Sequence, residues 1–207
     1  MSFRSKKELE VFLSKLKGFE IPSLQLEQYA TPSSIAAEWV WMMAMKGEVS
    51  GRIVLDAACG PGILGIGLLL LGAKKVFFVD KDREVMRICM ENYNRVKEEY
   101  NVSEATFIIS DISLFDEAVD IVVQNPPFGT KEEHVDKVFL EKAFRVAPIV
   151  YSMHKWSTAR FVEAVARDYK FRITEVQRYD FPIKAVFSFH RKPVMEVLVG
   201  LWRMEKE

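Results

Sequence analysis

Cysteine is scarce: only Cys59 and Cys89 occur in the 207 residues. That excludes a disulfide framework, and the pair lacks zinc-ligand spacing, so no metal site is indicated and a reduced, intracellular setting is expected. Neither sign of charge is in excess, with 29 Lys+Arg against 29 Asp+Glu. A general nucleic-acid coat would be strongly basic, so that class is excluded. Long apolar runs are missing too. The longest, Ile63 to Leu71, is interrupted by Gly65 and Gly67 and falls well short of the ~20 residues that span a bilayer. The first residues, MSFRSKKELEVFLSKLKGFE, scatter charges among apolar side chains, so no signal peptide is expected. Repeats, low-complexity segments and Pro/Gly/Ser-rich linkers are likewise absent. A soluble, cytoplasmic protein with no membrane association is the expectation.

The chain is 49% hydrophobic and 28% charged, enough to build a sizeable core. At about 150 residues per domain, one domain over 1–207 is expected. Charge is slightly uneven: residues 1–150 hold 18 Lys/Arg against 22 Asp/Glu, and 151–207 hold 11 against 7. Such a difference is ordinarily a solvated surface, but a bound polyanion would favour the C-terminal quarter.

Leu9, Phe12, Leu13 and Leu16 recur at helical spacing, predicting an amphipathic helix over 5–17. Thr31-Pro32 reads as a helix start, a capping hydroxyl followed by a proline at the first helical position, with the helix running to Lys46. Strands and helices then alternate. Strands are expected at 52–56, 75–80, Thr106–Ser110, 119–124 and 147–153, with helices near 63–71, 83–100, 135–146 and 157–168. Two β-rich runs, 172–180 and 194–203, close the chain as an antiparallel hairpin. Strands apolar on both faces between helices predict a doubly wound α/β fold with a mostly parallel sheet.

Where the first strand meets its helix the chain reads Asp56-Ala57-Ala58-Cys59-Gly60-Pro61-Gly62-Ile63-Leu64-Gly65. The glycines satisfy G-x-G-x-x-G, and Asp80 ends the next strand, so spacing alone permits a dinucleotide site. Asp56 argues otherwise. A pyrophosphate would lie near its negative charge, whereas the ammonium of an amino-acid cofactor would be attracted to it. The D-x-x-x-G-x-G form resembles the first motif of S-adenosyl-L-methionine-dependent methyltransferases, of which seven-stranded sheets are typical. That resemblance gives Asp80 to the ribose hydroxyls and Asp111 and Ile112, after the third strand, to the adenine of the cofactor. Asp82 reads instead as a helix cap.

Asn125-Pro126-Pro127-Phe128 follows the fourth strand, beyond whose carboxyl end such sheets bind ligands. The two prolines stiffen the loop. An exocyclic amine on a base is a poor nucleophile because its lone pair is delocalised into the ring. The Asn125 side-chain oxygen and the Pro126 carbonyl can each accept one amine hydrogen, drawing the nitrogen toward tetrahedral geometry. Phe128 would stack on the target base, a contact of roughly 1–3 kcal/mol. The tetrapeptide serves adenine, guanine, cytosine or a glutamine amide alike.

From about Lys7 to Trp202 the chain resembles the methyltransferase-like family that methylates adenine N6 in small-subunit ribosomal RNA. The resemblance rests on GFE-x-P and LEQY-x-T at Gly18–Thr31, NPPFGTK at Asn125–Lys131, VYS-x-HK-x-ST at Val150–Thr158, RYD-x-P at Arg178–Pro182 and FH-x-K at Phe189–Lys192. It implies that Gln28, Tyr29 and Thr31 close over the cofactor, with residues 1–50 a helical extension covering that site. It also implies a small zinc-binding activator subunit as partner. Thr106–Ser110 is expected at the exposed sheet edge, where Phe107, Ile108 and Ile109 would suit a partner strand. Candidate RNA contacts are Lys131, His154, Lys155, His190, Arg191 and Lys192; the alternative for His154 is a satisfied structural histidine, and for Lys155 and Lys192 a solvated surface. Guanine-N2 and glutamine-N5 methylation are the rival chemistries. A catalytically silent assembly scaffold and a nicotinamide dehydrogenase are the rival classes, and the latter has no use for Asn125–Phe128.

Overall fold

The computed structural model describes residues 3–23, 26–128, 135–184 and 194–207. Seven strands form one sheet: β1 Ile53–Ala57, β2 Lys75–Asp80, β3 Glu104–Ile109, β4 Ile121–Gln124, β5 Ile149–Lys155, β6 Phe171–Lys184 and β7 Val194–Lys206. Their order is β3-β2-β1-β4-β5-β7-β6. β1 to β5 run parallel, and β7 pairs antiparallel with both β5 and β6. This is the expected doubly wound α/β sheet with a closing hairpin. Among the described residues six α-helices cover it: α1 Lys6–Leu13, α2 Ser33–Met45, α3 Ile63–Leu70, α4 Arg83–Glu99, α5 Val135–Val146 and α6 Ala159–Asp168.

Alternation along each strand divides the core into two clusters, as a sheet buried on both faces requires. Val54, Phe78, Val123 and Tyr151 face α1 to α4 with Trp39, Ile66 and Met86. Leu55, Val79, Val122 and Val150 face α5 and α6 with Leu140, Phe144 and Val162. Among the described residues no helix is long and apolar enough to cross a membrane.

Several element ends differ from expectation for identifiable reasons. α1 stops at Leu13, short of residue 17. There the Ser14 hydroxyl donates to the Val11 carbonyl at 2.8 Å, and the chain turns in so that Lys17 exchanges two backbone bonds with the Asn92 side chain. α2 begins at Ser33, with Pro32 rather than Thr31 at the cap position and no side-chain cap. The Thr31 hydroxyl is engaged elsewhere. β5 starts at Ile149 rather than 147 because the Ala147 N–H still bonds the Ala143 carbonyl of α5.

Candidate active site

The loop after β1 crosses the carboxyl ends of the central strands. Ala58, Gly60 and Gly62 all have positive φ, at 55°, 54° and 88°, so the chain turns sharply into α3. A Cβ on Gly62 would sit 2.6 Å from the Cys89 sulfur. At Gly65 a Cβ would meet the Phe78 ring at 2.3 Å and Asp56 Oδ2 at 2.9 Å. The bare backbone lets Gly65 N–H donate to Asp56 Oδ2 at 2.8 Å. The glycines thus serve packing against α4 and β2 as well as any ligand. Cys59 and Cys89 are both free and buried, with burial pushing the Cys59 thiol well up.

Two carboxylates stand over this loop. Asp56 is buried and, with Asp80 adding a repulsive charge, is pushed up to about 7 despite the Gly65 bond. Asp80 accepts Gly60 N–H on Oδ2 and Asp82 N–H on Oδ1, both at 3.0 Å. Burial raises it above the ordinary carboxylate range. Asp82 caps α4 as expected, accepting from Glu84 N–H at 2.9 Å and Val85 N–H at 3.2 Å. Asp111 accepts Ser113 N–H at 2.9 Å and is held below the usual range by Ser113. Asp56, Asp80, Asp111 and Ile112 line one cavity of about 660 Å³, a volume suited to a cofactor-sized ligand.

A strap of residues 18–23 and 26–31 closes the other side of the cavity, with Phe19, Gln28, Tyr29 and Thr31 on its wall. Gln28 Nε2 donates to Asp82 Oδ2 at 2.8 Å, tying the strap to the start of α4. Asn125 and Pro127 reach the same cavity. Asn125 Nδ2 donates to Thr31 Oγ1 at 3.0 Å, which explains why Thr31 does not cap α2. Pinning the amide nitrogen leaves Asn125 Oδ1 as the free acceptor.

Sequence reasoning missed Glu27. Its carboxylate is buried and accepts Phe128 N–H at 2.8 Å. It lies inside LEQY-x-T, yet its partner is 101 residues away, so no local pattern discloses the role.

Phe128 differs from expectation. Its ring is 8% exposed, stands edge-on to Phe181 at 6.2 Å and is absent from the cavity wall. In this structure the ring is packed into the core and offers no open face to a base. His154 is a second correction. It is 1% exposed, its Nε2 meets Ser152 Oγ at 2.6 Å, and its ring packs edge-on against Trp202. Burial pushes it down to about 3, so it is a neutral core histidine and not an RNA contact. Lys155 is part-exposed, with Nζ 5.8 Å from the Phe128 ring centre. Lys131, His190, Arg191 and Lys192 lie outside the described residues.

The cavity chemistry fits an amino-acid-bearing nucleoside. A buried acid at β1 suits an ammonium, and an acid at β2 with its orientation fixed by two N–H groups suits vicinal hydroxyls. The family model described as Conserved hypothetical protein 95 matches residues 36–160. The magnesium protoporphyrin IX methyltransferase of Synechocystis, solved with bound S-adenosylmethionine, shares the fold at 16% identity and a TM-score of 0.67, over 83% of this chain and 78% of its own. Fold and site together define a Rossmann-like α/β domain whose cavity suits a nucleoside cofactor.

More similar proteins narrow the class. The rRNA N(6)-adenosine-methyltransferase of Drosophila melanogaster is 33% identical over 207 residues, spanning 96% of this chain and 95% of its own. The crystal structure of a Pyrococcus horikoshii protein described as a candidate RNA methyltransferase is 40% identical with a TM-score of 0.89, covering 100% of this chain and 99% of that one. The chain belongs to the family of the rRNA N6-adenosine methyltransferases.

Proposed function

We propose that this protein methylates the exocyclic N6 amine of an adenosine in small-subunit ribosomal RNA. The observation that carries the chemistry is Asn125, at the cavity wall with its amide nitrogen held by Thr31. The adenosine substrate is supported by the name of the Drosophila relative, which aligns along nearly the whole chain. When bound, the cofactor supplies an activated methyl group. Asp56 would hold its ammonium, Asp80 its ribose, Asp111 and Ile112 its adenine, and Gln28, Tyr29 and Thr31 would cover it. Asn125 Oδ1 and the Pro126 carbonyl would accept the two amine hydrogens, turning the nitrogen lone pair out of conjugation. Preorganised acceptors on a stiff loop do this without a strong base. Residues 1–50 would act as a cover to the same domain, a reading supported by the strap residues on the cavity wall.

A protein partner is part of the reading. β3 is the edge strand, bonded on one side by β2 alone among the described residues. Ile109 at its end is 44% exposed and Leu114 just beyond is 72% exposed. Phe107 is not part of this adhesive surface, since its ring stacks inward on Phe78. Strand addition at β3 by a small zinc-binding activator would cover the unpaired backbone.

The test is methyl transfer from labelled S-adenosylmethionine to unmodified small- and large-subunit rRNA, with and without such an activator, followed by nucleoside digestion. Label in N6-methyladenosine from the small-subunit RNA is expected. Label in N2-methylguanosine, or in a protein glutamine, would overturn the substrate.

A further inference from the structure

We propose that Arg178 and Trp156 form a docking ledge for the RNA strand that flanks the target nucleotide. The inference rests on the RNA reading above and adds residues to it. The ledge is a stack built outward from the sheet. At its base Trp202 is buried and lies across Gly200, where a Cβ would stand 2.4 Å from the indole. Glycine at that position therefore lets the ring lie flat on β7. Trp156, in the 3-10 turn after β5, stacks on Trp202 with ring centres 5.8 Å apart and planes 13° apart. The Arg178 guanidinium then lies 3.8 Å over Trp156. Arg178 is exposed and Trp156 half-buried.

This arrangement leaves chemistry unused. A guanidinium stacked by its face keeps its N–H donors in plane, at its rim. Among the described residues the Arg178 guanidinium forms no ion pair or hydrogen bond, with Asp180 or any other acid, and rests only on the Trp156 ring. Rim donors in that geometry match the oxygens of a phosphate, and the exposed part of Trp156 can take the edge of an unstacked base. A structural role alone would be met by Trp156 on Trp202, without an arginine held outward.

Position ties the ledge to the active site. Lys155 directly precedes Trp156, and its ammonium is 5.8 Å from the Phe128 ring. Cationic groups thus lead from the catalytic loop to the stack. Arg160 is exposed in the first turn of α6, where the helix dipole disfavours a cation. These groups belong to the C-terminal quarter, where Lys and Arg outnumber Asp and Glu by 11 to 7. In a chain of zero net charge, attraction for a polyanion must be local, and this face supplies it. Single-stranded RNA, whose bases can splay and whose phosphates are continuous, fits the combination better than a folded protein surface does.

The experiment measures binding of an unmodified small-subunit rRNA transcript over a range of salt, for wild type, Arg178→Ala and Arg178→Lys, alongside methylation kinetics. Arg178→Ala should weaken RNA binding and raise the RNA KM by about tenfold, and lower the log–log salt slope by about one. The turnover number at saturating RNA and the affinity for S-adenosylmethionine should stay within about twofold. Arg178→Lys should restore the salt slope but not the full affinity, because an ammonium lacks the planar stack. Thermal unfolding of each variant controls for folding. Wild-type RNA affinity and salt slope in Arg178→Ala would overturn the ledge, whatever the label shows. If wild type binds RNA through Arg178 yet leaves no methyl group on it, the ledge stands and the proposed reaction falls. If wild type binds no RNA, both fall.

Discussion

The carboxylate of Glu27 accepts the backbone N–H of Phe128 at 2.8 Å, joining the strap on the cavity wall to the loop that holds Asn125. Glu27 is 8% exposed and has φ 49°, a conformation that costs a non-glycine residue roughly 1–2 kcal/mol. The strap carries that strain while placing an acid against the Asn125–Phe128 loop. Four residues on, Thr31 holds Asn125 itself. One short segment therefore walls the cavity and braces the Asn125 loop at two points, and under the proposed function closure over the cofactor and readiness of that loop are coupled.

Removing the brace should show this. Glu27→Leu leaves a buried N–H without an acceptor, a penalty of about 1–3 kcal/mol. Single-turnover methyl transfer should fall by about tenfold or more, with a lowered melting temperature. Glu27→Gln retains an acceptor oxygen and should keep most of the activity. Equal rates for wild type and the leucine variant would remove Glu27 from the mechanism.

Thr31→Val is the sharper probe of Asn125. It keeps the shape of the strap but gives Asn125 Nδ2 no acceptor, so the amide is free to rotate. Turnover should drop by about tenfold, corresponding to the ~1.4 kcal/mol of a lost hydrogen bond. Affinity for S-adenosylmethionine should change less, and Thr31→Ser should recover the rate. A valine variant with a weakened cofactor and an unchanged turnover number would make Thr31 a cofactor contact alone.

Cofactor affinity should depend on pH with a defined sign. Asp56 sits at about 7, raised chiefly by burial, so below that value its carboxyl is protonated in the cofactor-free protein. An ammonium favours the ionised form, so affinity should rise as pH climbs through about 7 and then level off. The free protein should behave oppositely. The folded state holds this proton more tightly than the unfolded chain, so this group's contribution to stability is present below about pH 4 and is lost as pH rises to about 7. Calorimetry in buffers of different ionisation enthalpy would count the proton released. Asp56→Asn should bind weakly with no such pH dependence, and a flat profile in wild type would contradict the assignment.

Two glycines should resist substitution because of what surrounds them. Gly65→Ala would press a Cβ into Phe78 and Asp56, and Gly200→Ala would press one into Trp202. Overpacking of this kind costs about 1–3 kcal/mol, read as a lower midpoint in denaturant unfolding. Gly65→Ala should also weaken cofactor binding, because it displaces Asp56. Gly200→Ala should leave cofactor binding intact. Wild-type stability in both would mean that the rings shift freely.

Much of this architecture was legible in the sequence. β2 at Lys75–Asp80 and α5 at Val135–Val146 fall where strand and helix patterning put them, since hydrophobic period and length suffice for elements buried on a predictable face. The ends of α1 and β5 were not, because Asn92 and a last turn of α5 decide them. The site divided the same way. Asp56, Asp80, Asp111 and Asn125 lie at strand ends, and a strand's carboxyl end is recognisable from its pattern. Glu27 was illegible because an acid in a loop gives no sign of a partner far along the chain. His154 was ambiguous for the converse reason: beside Lys155 it reads equally as a basic surface or a structural histidine, and strand alternation turns it inward against Trp202.

The most direct test of the central claim, that Asn125 orients the adenine amine rather than holding the cofactor, is Asn125→Ala. Single-turnover transfer from labelled S-adenosylmethionine to small-subunit rRNA would be measured beside cofactor affinity on the same preparation. Loss of N6-methyladenosine is expected, with cofactor affinity nearly that of wild type. Methylation at the wild-type rate would contradict it.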